Sequence, residues 1–359
     1  MIVVVMIMKK PVKIIREMLK AVLLTWAAYY CMTNTAAAGA AVSGAAGRCL
    51  TTVIPSLYAM MIVSGLIVKS GACSVCGRFT GRAGRFIFGM DKEVFPLFLF
   101  SMAGGYPVGA KMLISLYSDG KLSKHRTELL SGVCFGAGPA FVTGCISGQL
   151  YGTPTAGHII LISTFSANVI TAFALSFMLR RSAETTSAPQ RFRLSGSMLT
   201  DCISSAGRSM AEICFTIAAF AVFAGMLESS GILAVFGSDI HRQLFLTFMD
   251  VTAAGELPHG NYTLLPVLSA AVSFGGVCVL FQIASIFSGK LSMLPLILTR
   301  AAASLLSFGI CRLIMPFMLR NEAVPAAVTA SVHKAPSPVP SVMLILMTFA
   351  VLRETGKER

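Results

Sequence analysis

Long runs of apolar residues, each close to the length that crosses a bilayer, constrain this chain more than any other feature of its sequence. The hydrocarbon core of a membrane is about 30 Å thick, and a helix needs about 20 apolar residues to cross it. Stretches of about this length cover residues 19–38, 51–68, 129–150, 157–179, 210–227 and 294–319. The sequence therefore predicts an all-α, polytopic membrane protein with about six transmembrane helices.

Composition and charge point to the lipid bilayer as the partner. Of 359 residues, 55% are hydrophobic and 12% are charged, against about 25% charged residues in a soluble domain. The formal net charge is +14, but Lys and Arg occur in blocks between apolar runs and are not interleaved with aromatic residues. This pattern is typical of cytoplasmic loops and excludes nucleic acid as a partner.

Enzyme chemistry finds no support in the sequence. It contains neither a His-Glu-x-x-His motif nor a Walker loop, which are common signs of metal-dependent hydrolysis and ATP use. The Cys73-x-x-Cys76 pair has no second pair to complete a zinc site, and most other cysteines lie in apolar runs, where they behave as small hydrophobic residues. We expect no enzyme activity, no metal and no cofactor, so any transport uses an ion gradient or is passive.

Two further apolar segments are interrupted by glycine pairs. Residues 94–118 contain Gly104-Gly105 followed by Tyr106-Pro107, and residues 264–288 contain Gly275-Gly276. A break at membrane depth leaves backbone groups without partners, which is tolerated only beside protein or a wet cavity. Both segments are therefore predicted to be re-entrant hairpins that enter and leave on the same side.

The positive-inside rule gives this topology an orientation with the N-terminus in the cytoplasm. The cytoplasmic segments are then 1–20, 69–93, 119–128, 180–209 and 312–359. Of the Lys and Arg residues, the ones outside these segments are Arg48, Lys111, Arg242, Lys290 and Arg300. The predicted external segment 228–263 is acidic, and residues 244–257 remain open as a further segment that dips into the membrane.

The chain also repeats itself. Residues 46–71 align with 206–231 without a gap, and Gly-Lys-Leu-Ser occurs at 120–123 and again at 289–292. Since the two copies run in opposite directions in this topology, they predict an inverted repeat, a common architecture of secondary transporters. The expected units are a signal-anchor helix whose cleavage stays open (1–39), a first repeat (40–179), a basic linker (180–203), a second repeat (204–319) and a Pro/Ala/Ser-rich tail (320–359) with an interfacial segment at 341–352.

The segment from Gly104 to Lys111 resembles the Gly-Tyr-Pro-x-Gly-Ala-Lys signature of the sporulation integral membrane proteins of YlbJ type, in the nucleoside-recognition (gate) domain superfamily. Residues 129–139, 250–255 and 273–282 are similar to later elements of that family, so the resemblance covers about residues 40–318. One departure is Gly136-Ala137, where many relatives carry Asn-Asn. The resemblance implies a transporter-like protein of endospore-forming bacteria, in the cell membrane or a membrane around the forespore.

The first glycine pair suggests how a site is built. Pro107 favours a helix start, and the free N–H groups of that start, together with Lys111 one turn later, would attract an anion. Each of these residues also has an explanation without a binding site. The glycines can simply allow close helix packing, the Lys111 side chain can extend to the cytoplasmic surface, and Gly138-Pro139 can simply kink its helix. The candidate substrate-binding residues are Gly104, Gly105, Tyr106, Pro107, Gly109, Lys111, Gly138, Pro139, Gly275, Gly276 and Gln282.

The expected function is to move a small, anionic organic solute, either a dicarboxylate or a nucleoside-like molecule, across a membrane during sporulation. A coupling ion and a homo-oligomer both remain open. The alternative is a membrane scaffold of a sporulation complex that transports nothing, which the Gly136-Ala137 departure favours. A transporter needs Lys111 and the glycine pairs for activity, whereas a scaffold tolerates their substitution.

Overall fold

The computed structural model describes the backbone of residues 2–181 and 192–319, and the side chains of those residues from Glu17 onward. Ten residues of the predicted linker (182–191) and the predicted tail with its segment 341–352 lie outside the described residues. The described part is helical and contains no strand. Its α-helices are α1 (Ile2–Thr33), α2 (Thr35–Arg48), α3 (Ile54–Lys69), α4 (Ala72–Ala83), α5 (Val94–Gly104), α6 (Tyr106–Ser118), α7 (Lys124–Val133), α8 (Gly148–Leu150), α9 (Pro154–Arg181), α10 (Gly196–Ser229), α11 (Asp239–Met249), α12 (Leu265–Phe274), α13 (Gly276–Phe287) and α14 (Leu294–Met318).

Wider and tighter helical turns connect some of these helices. A π-helical turn, Cys49–Val53, joins α2 and α3 into one continuous helix, and another, Phe141–Ser147, leads into α8. The turn Gly84–Phe88 ends α4. Short 3₁₀ turns cover Ile232–Phe236, Val251–Glu256 and Tyr262–Leu264.

Five helices are long and apolar enough to cross a membrane. They are Thr35–Lys69, Pro154–Arg181, Gly196–Ser229, Tyr262–Phe287 and Leu294–Met318. Four of them contain or nearly coincide with predicted spans. The predicted span 19–38 is divided at Asn34, and the predicted span 129–150 is interrupted between α7 and the Phe141–Ser147 turn. The prediction of an all-α fold is confirmed, and the five long apolar helices are compatible with a multi-pass membrane protein.

The bundle has two ends that differ in charge. At the basic end, Lys69 on α3 lies 3.5 Å from Asp201 on α10, and Arg180 at the end of α9 donates a hydrogen bond to the carbonyl of Phe86. At the opposite end, Arg48 pairs with Glu256 at 3.2 Å. The α3 and α10 helices therefore run antiparallel between the two ends.

The segment from α5 to α6 folds back on itself, as the first glycine pair predicts. Glu93, just before α5, lies 3.8 Å from Lys121, just after α6, and both are at the basic end. Midway along the two helices, an ideal Cβ on Gly109 would lie 2.9 Å from the Cβ of Ser101. These contacts join residues eight and 28 positions apart, which no straight helix allows.

The second glycine pair behaves differently from the prediction. Helix α12 lies antiparallel along α14, where the Ser269 and Ser307 hydroxyls are 2.8 Å apart, but α13 leaves α14 and packs against α6 and α10. The chain after α13 reaches the basic end, where Ser292 donates its backbone N–H to Glu128 at 2.8 Å. Residues 264–288 are therefore not a hairpin, because each arm has its own partner helices. Consequently Lys290, expected outside, lies at the basic end, and α14 runs from there to the opposite end.

Residues 239–256 fold back on themselves, in a segment that overlaps residues 244–257, for which the sequence left a dip into the membrane open. Helix α11 and the Val251–Glu256 turn pack on each other, and Glu256 returns to Arg48 at the opposite end. The bend between them reaches the second glycine pair, since an ideal Cβ on Gly276 would lie 3.3 Å from the Phe248 carbonyl. Matched by their order along the chain, the elements of the first half correspond to those of the second half as follows: α3 to α10, α5–α6 to α11–Glu256, the broken α7–α8 to α12–α13, and α9 to α14.

This pairing corrects one part of the sequence alignment. The match of 46–71 with 206–231 agrees with two antiparallel helices in contact: an ideal Cβ on Gly65 would lie 3.0 Å from the Cys202 sulfur. The two Gly-Lys-Leu-Ser segments, however, both lie at the basic end, with Ser123 capping α7 and Ser292 bound to Glu128. Equivalent residues of an inverted repeat lie at opposite ends, so this tetrapeptide is not a repeat equivalence.

Candidate functional site

Four interruptions of helices meet in the middle of the bundle. They are Gly105 between α5 and α6, residues 134–138 after α7, Asp250 after α11, and Gly275 between α12 and α13. An ideal Cβ on Gly138 would lie 3.7 Å from the Cα of Gly105, and one on Gly275 would lie 2.5 Å from the ring of Phe135. The breaks therefore supply backbone of four separate segments to one place.

Glycine is required at the two predicted breaks by backbone conformation. Gly105 has φ 94° and ψ 161°, a region that L side chains rarely adopt, and a Cβ there would meet Leu57. Gly275 and Gly276 have φ 89° and 84°. Pro107 lies in the first turn of α6, where its missing N–H costs nothing.

A small cavity, here called the central cavity, lies where these breaks meet. Its volume is about 30 Å³, enough for about one or two water molecules. It is lined by Val53, Ser56, Leu57, Tyr106, Pro107, Gly138, Phe141, Ile213, Ile217, Asp250, Val251, Thr252, Val279 and Gln282. Two pairs in this lining, Val53 with Ile213 and Leu57 with Ile217, have the same spacing as the repeat, so aligned positions of the two segments face the same cavity.

The first turns of several helices place partial positive charge at the centre of the bundle. Helix α6, the Phe141–Ser147 turn and the Val251–Glu256 turn each begin at the central cavity, and α13 begins beside it. The first N–H groups of a helix carry a partial positive charge. Because the Asp250 carboxylate already caps the Val251–Glu256 turn, the starts of α6, α13 and the Phe141–Ser147 turn are the ones that favour a ligand with acceptor oxygens.

Polar side chains of the central cavity already have partners, and those of Tyr106 and Asp250 matter most for the site. The Tyr106 hydroxyl donates to the Val272 carbonyl at 2.8 Å. The Asp250 carboxylate accepts from the Thr252 N–H at 3.0 Å and from the Thr252 hydroxyl at 2.8 Å. Asp250 therefore caps the Val251–Glu256 turn while it also faces the cavity.

The structure brings some of the predicted site residues together and separates others. Tyr106, Pro107, Gly138 and Gln282 line the central cavity, and Gly105 and Gly275 adjoin it. The remaining glycines are packing positions: Gly104 lies against Val108, Gly109 against the Cys134 carbonyl, and Gly276 against the Phe248–Val251 bend. Pro139 lines a separate lateral groove with Asn168.

Lys111 lies outside the central cavity. It lines an inner pocket of about 100 Å³ towards the basic end, together with Lys69, Cys202 and Ser205. Its ammonium group donates to the Ser205 carbonyl at 3.2 Å and lies 3.4 Å from the Ser205 hydroxyl. The direct contact between Lys111 and a centrally bound ligand that the sequence suggested is therefore absent in this conformation of the described residues.

A third pocket lies towards the opposite end. This outer pocket has a volume of about 450 Å³ and is lined by the small residues of α2 and by Arg48, Glu228 and Glu256. Asp250 lines both the outer pocket and the central cavity. From the sequence, Asp250 was expected in the acidic external segment and in the family-like segment 250–255, and not among the site residues. The signal that would have found it is an acidic residue between apolar stretches that carry Leu246 and Val251.

Arg300 is a second residue that sequence reasoning did not place in the site. It lies on α14 with its side chain fully buried, donates from Nη1 to the Ser273 carbonyl at 3.3 Å, and stacks over the Phe135 ring at 4.8 Å. A guanidinium inside an apolar 25-residue helix was visible in the sequence and, by itself, marks a functional candidate.

Comparison of the chain with family models, curated proteins and solved structures finds no match in any of the three.

Proposed function

We propose that this protein moves a small, anionic organic solute, a dicarboxylate or a nucleoside-like molecule, across a membrane by alternating access. The observation that carries the proposal is the row of three separate cavities along α3 and α10. The outer pocket, the central cavity and the inner pocket each take lining residues from α10 and from the α2–α3 helix. A site that alternates between two sides needs such a closed centre between two half-open ends.

The proposed membrane placement follows from charge. The basic end faces the cytoplasm, so α5–α6 is a re-entrant hairpin from the cytoplasmic side and residues 239–256 form one from outside. The broken segment from α7 to α8 adds a sixth crossing to the five apolar helices, and α1 precedes them with its N-terminus in the cytoplasm. The resemblance of the Gly104–Lys111 segment supports a role in sporulation.

The chemistry of the cavities supports an anion. Arg48 lines the outer pocket and Lys111 the inner pocket, while helix starts surround the centre. Lys111 in the inner pocket and the partial positive charges at the centre lower the cost of moving a carboxylate through apolar surroundings. The outer pocket combines Arg48, which pairs with Glu256, with the carboxylates of Glu228 and Asp250. The central cavity, at about 30 Å³, holds water rather than an organic molecule, so this conformation is occluded and the solute binds when the breaks open.

Uptake into proteoliposomes tests the proposal. Wild-type protein is compared with Gln282→Leu in the central cavity and Lys111→Ala in the inner pocket, and Lys124→Ala at the basic surface serves as the matched control. The solutes are succinate, phthalate and a nucleoside. We expect saturable uptake that falls at least tenfold in the Gln282 and Lys111 variants and persists in the control. No uptake by well-folded wild-type protein, with any of the three solutes, would sink the transport proposal.

One observation favours the scaffold alternative. An ideal Cβ on Gly136 would lie 3.0 Å from both the Cα and the carbonyl oxygen of Met102. An amide side chain, as in many proteins that the motif resembles, would not fit at this position without movement of α5. The break after α7 is therefore packed against the hairpin tip, which is what a rigid scaffold requires. A scaffold would show no uptake and would keep its stability in the Gln282 and Lys111 variants.

A further inference from the structure

Arg300 carries a hydrogen-bonding capacity that the described residues leave unused. Its side chain is 0% exposed, and Nη1 alone has a partner, the Ser273 carbonyl. Within the described part of the chain, Nε and Nη2 have no hydrogen-bond partner, and no carboxylate lies within ion-pair distance of the guanidinium. A buried cation without a counter-charge is costly, so its retention calls for a partner that arrives from elsewhere.

The unpartnered atoms have a defined geometry. Nε and Nη2 lie on the same edge of the planar guanidinium group, and their N–H bonds point in parallel. This edge forms a fork that matches the two oxygens of a carboxylate, with two parallel hydrogen bonds. The partner with the best fit is therefore a carboxylate, and the described residues supply none.

The ring of Phe135 contacts both Arg300 and Tyr106, a residue of the central cavity. The Arg300 Cζ atom lies 4.8 Å from the centroid of the Phe135 ring. The ring centroids of Phe135 and Tyr106 are 4.9 Å apart, and the Tyr106 side chain lines the cavity. The ring also occupies the space that a side chain at Gly275 would need. Phe135 belongs to the non-helical residues after α7, and its carbonyl accepts a hydrogen bond from the Asn168 side chain at 2.8 Å.

We propose that Arg300 binds a carboxylate group of the solute through Nε and Nη2, and that Phe135 covers the guanidinium until the solute displaces the ring. The cation–π contact compensates part of the charge of Arg300 in the empty protein. Displacement of Phe135 joins Arg300 to the central cavity beside Tyr106. This inference rests on the proposed function for the class of solute, and between the two classes it selects the dicarboxylate.

Binding to purified protein in detergent tests the role of Arg300 without transport. Phthalate and its uncharged analogue phthalamide are titrated, and the shift of the unfolding midpoint reports binding. The variants are Arg300→Gln, Arg300→Lys and the matched control Arg312→Gln, an exposed arginine on the same helix. We expect phthalate but not phthalamide to stabilise wild-type protein and the control, a loss of at least tenfold in phthalate affinity in Arg300→Gln, and a partial loss in Arg300→Lys, which keeps the charge without the fork.

The possible results separate this inference from the proposed function. Phthalate binding that depends on Arg300, without uptake in proteoliposomes, supports the carboxylate site and contradicts transport. Uptake with equal phthalate affinity in wild type and Arg300→Gln contradicts the Arg300 site and leaves transport intact. Absence of both binding and uptake in wild-type protein overturns both. If Arg300→Gln does not fold, Phe135→Leu provides the second measurement: removal of the cover should increase phthalate affinity, and an unchanged affinity overturns the inference.

Discussion

The guanidinium of Arg126 lies 3.1 Å from the carboxylate of Asp91, and it also donates to the carbonyls of Gly89 and Leu179. Arg126 thereby ties the start of α7 to the loop before α5 and to the end of α9. Arg126 and Arg300 rank as the largest fully buried side chains among the described residues. Arg126 holds helices together at the basic end, whereas Arg300 lies at the centre without a counter-charge among the described residues. Substituting each in turn therefore compares the stability that a paired and an unpaired buried arginine contribute.

We expect Arg126→Met to lower the free energy of unfolding by about 3–5 kcal/mol, because removal of one partner leaves a buried charge and carbonyls without compensation. Arg300→Met should cost far less, since it removes a charge that has no counter-charge in the empty protein. Unfolding in detergent, followed by circular dichroism, measures both. The control is Arg242→Met, whose pair with Asp239 at 2.9 Å is exposed and is worth about 0–1 kcal/mol. Equal losses for Arg126 and Arg242 would contradict the role of Arg126.

Disulfide formation between introduced cysteines tests which segments fold back. Glu93→Cys with Lys121→Cys should cross-link, because the native side chains pair at 3.8 Å. Glu128→Cys with Ser292→Cys should also cross-link, since the native groups form a 2.8 Å hydrogen bond. The background carries Ser in place of the exposed Cys31 and Cys76.

The discriminating pair is Tyr262→Cys with Lys290→Cys. These positions lie at opposite ends of the segment that contains Gly275, so the fold predicts no cross-link. A re-entrant hairpin over residues 264–288 would place them side by side. Mass spectrometry of peptides after mild oxidation distinguishes the two results, and a cross-link of this pair would overturn the crossing of α12–α13.

Gly109 is expected to tolerate no side chain. Its ideal Cβ would overlap the Cys134 carbonyl, which is backbone and cannot move aside cheaply. Gly109→Ala should therefore lower the free energy of unfolding by about 1–3 kcal/mol through overpacking. The matched control is Gly207→Ala on α10, where no heavy atom lies within 4 Å and alanine should be neutral or stabilise the helix by about 0.5–1 kcal/mol. A stabilising Gly109→Ala would show that α6 does not pack against the break after α7.

Thiol labelling should distinguish Cys73 from Cys76 and report the orientation of the protein. Cys73 is buried, and this burial, with the nearby Glu93 carboxylate, raises the pKa of its thiol to about 12. The reactive thiolate of Cys73 is therefore scarce at every pH from 7 to 9, because a raised thiol pKa favours the protonated form. Cys76 is exposed.

A membrane-impermeant maleimide should label Cys76 in inside-out vesicles and not in intact cells, and Cys76→Ser should abolish this labelling. Cys73 should react only after denaturation. Rapid labelling of Cys76 from outside intact cells would invert the proposed orientation. Labelling of native Cys76→Ser protein at Cys73 would contradict the burial of α4 against α5.

Much of the architecture can be predicted from the sequence, because the length of each apolar run and the charges that flank it are read from one short segment at a time. The spans of α9, α10 and α14 and the fold-back at Gly105 required no knowledge of tertiary contacts. The same glycine signal failed at Gly275, where the chain continues to the other end. A positive-φ glycine permits a change of direction, and the partners of the two arms decide which direction is taken: Ser269 and Ser307 hold α12 to α14, while α13 packs on α6.

The candidate site was predictable only in part for a similar reason. Tyr106, Gly138 and Gln282 meet at the central cavity as residues near breaks are expected to do, but Lys111, only five residues after Tyr106, faces a different pocket. A helix turns by about 100° per residue, so neighbours in a motif share a surface only if their spacing fits the helix. Asp250 and Arg300 come from segments far along the chain, and no local pattern indicates that they approach the same centre.

The repeat partners that face each other across the central cavity have a consequence for how the protein would change shape. Val53 in the Cys49–Val53 turn and Leu57 on α3 occupy the aligned positions of Ile213 and Ile217 on α10. If the two halves exchange their conformations, the contacts of one half reappear in the other. The outward-open and inward-open forms are then nearly equal in energy, and no additional residues are needed to stabilise the second form. The small differences between the paired side chains then set which form the empty protein prefers.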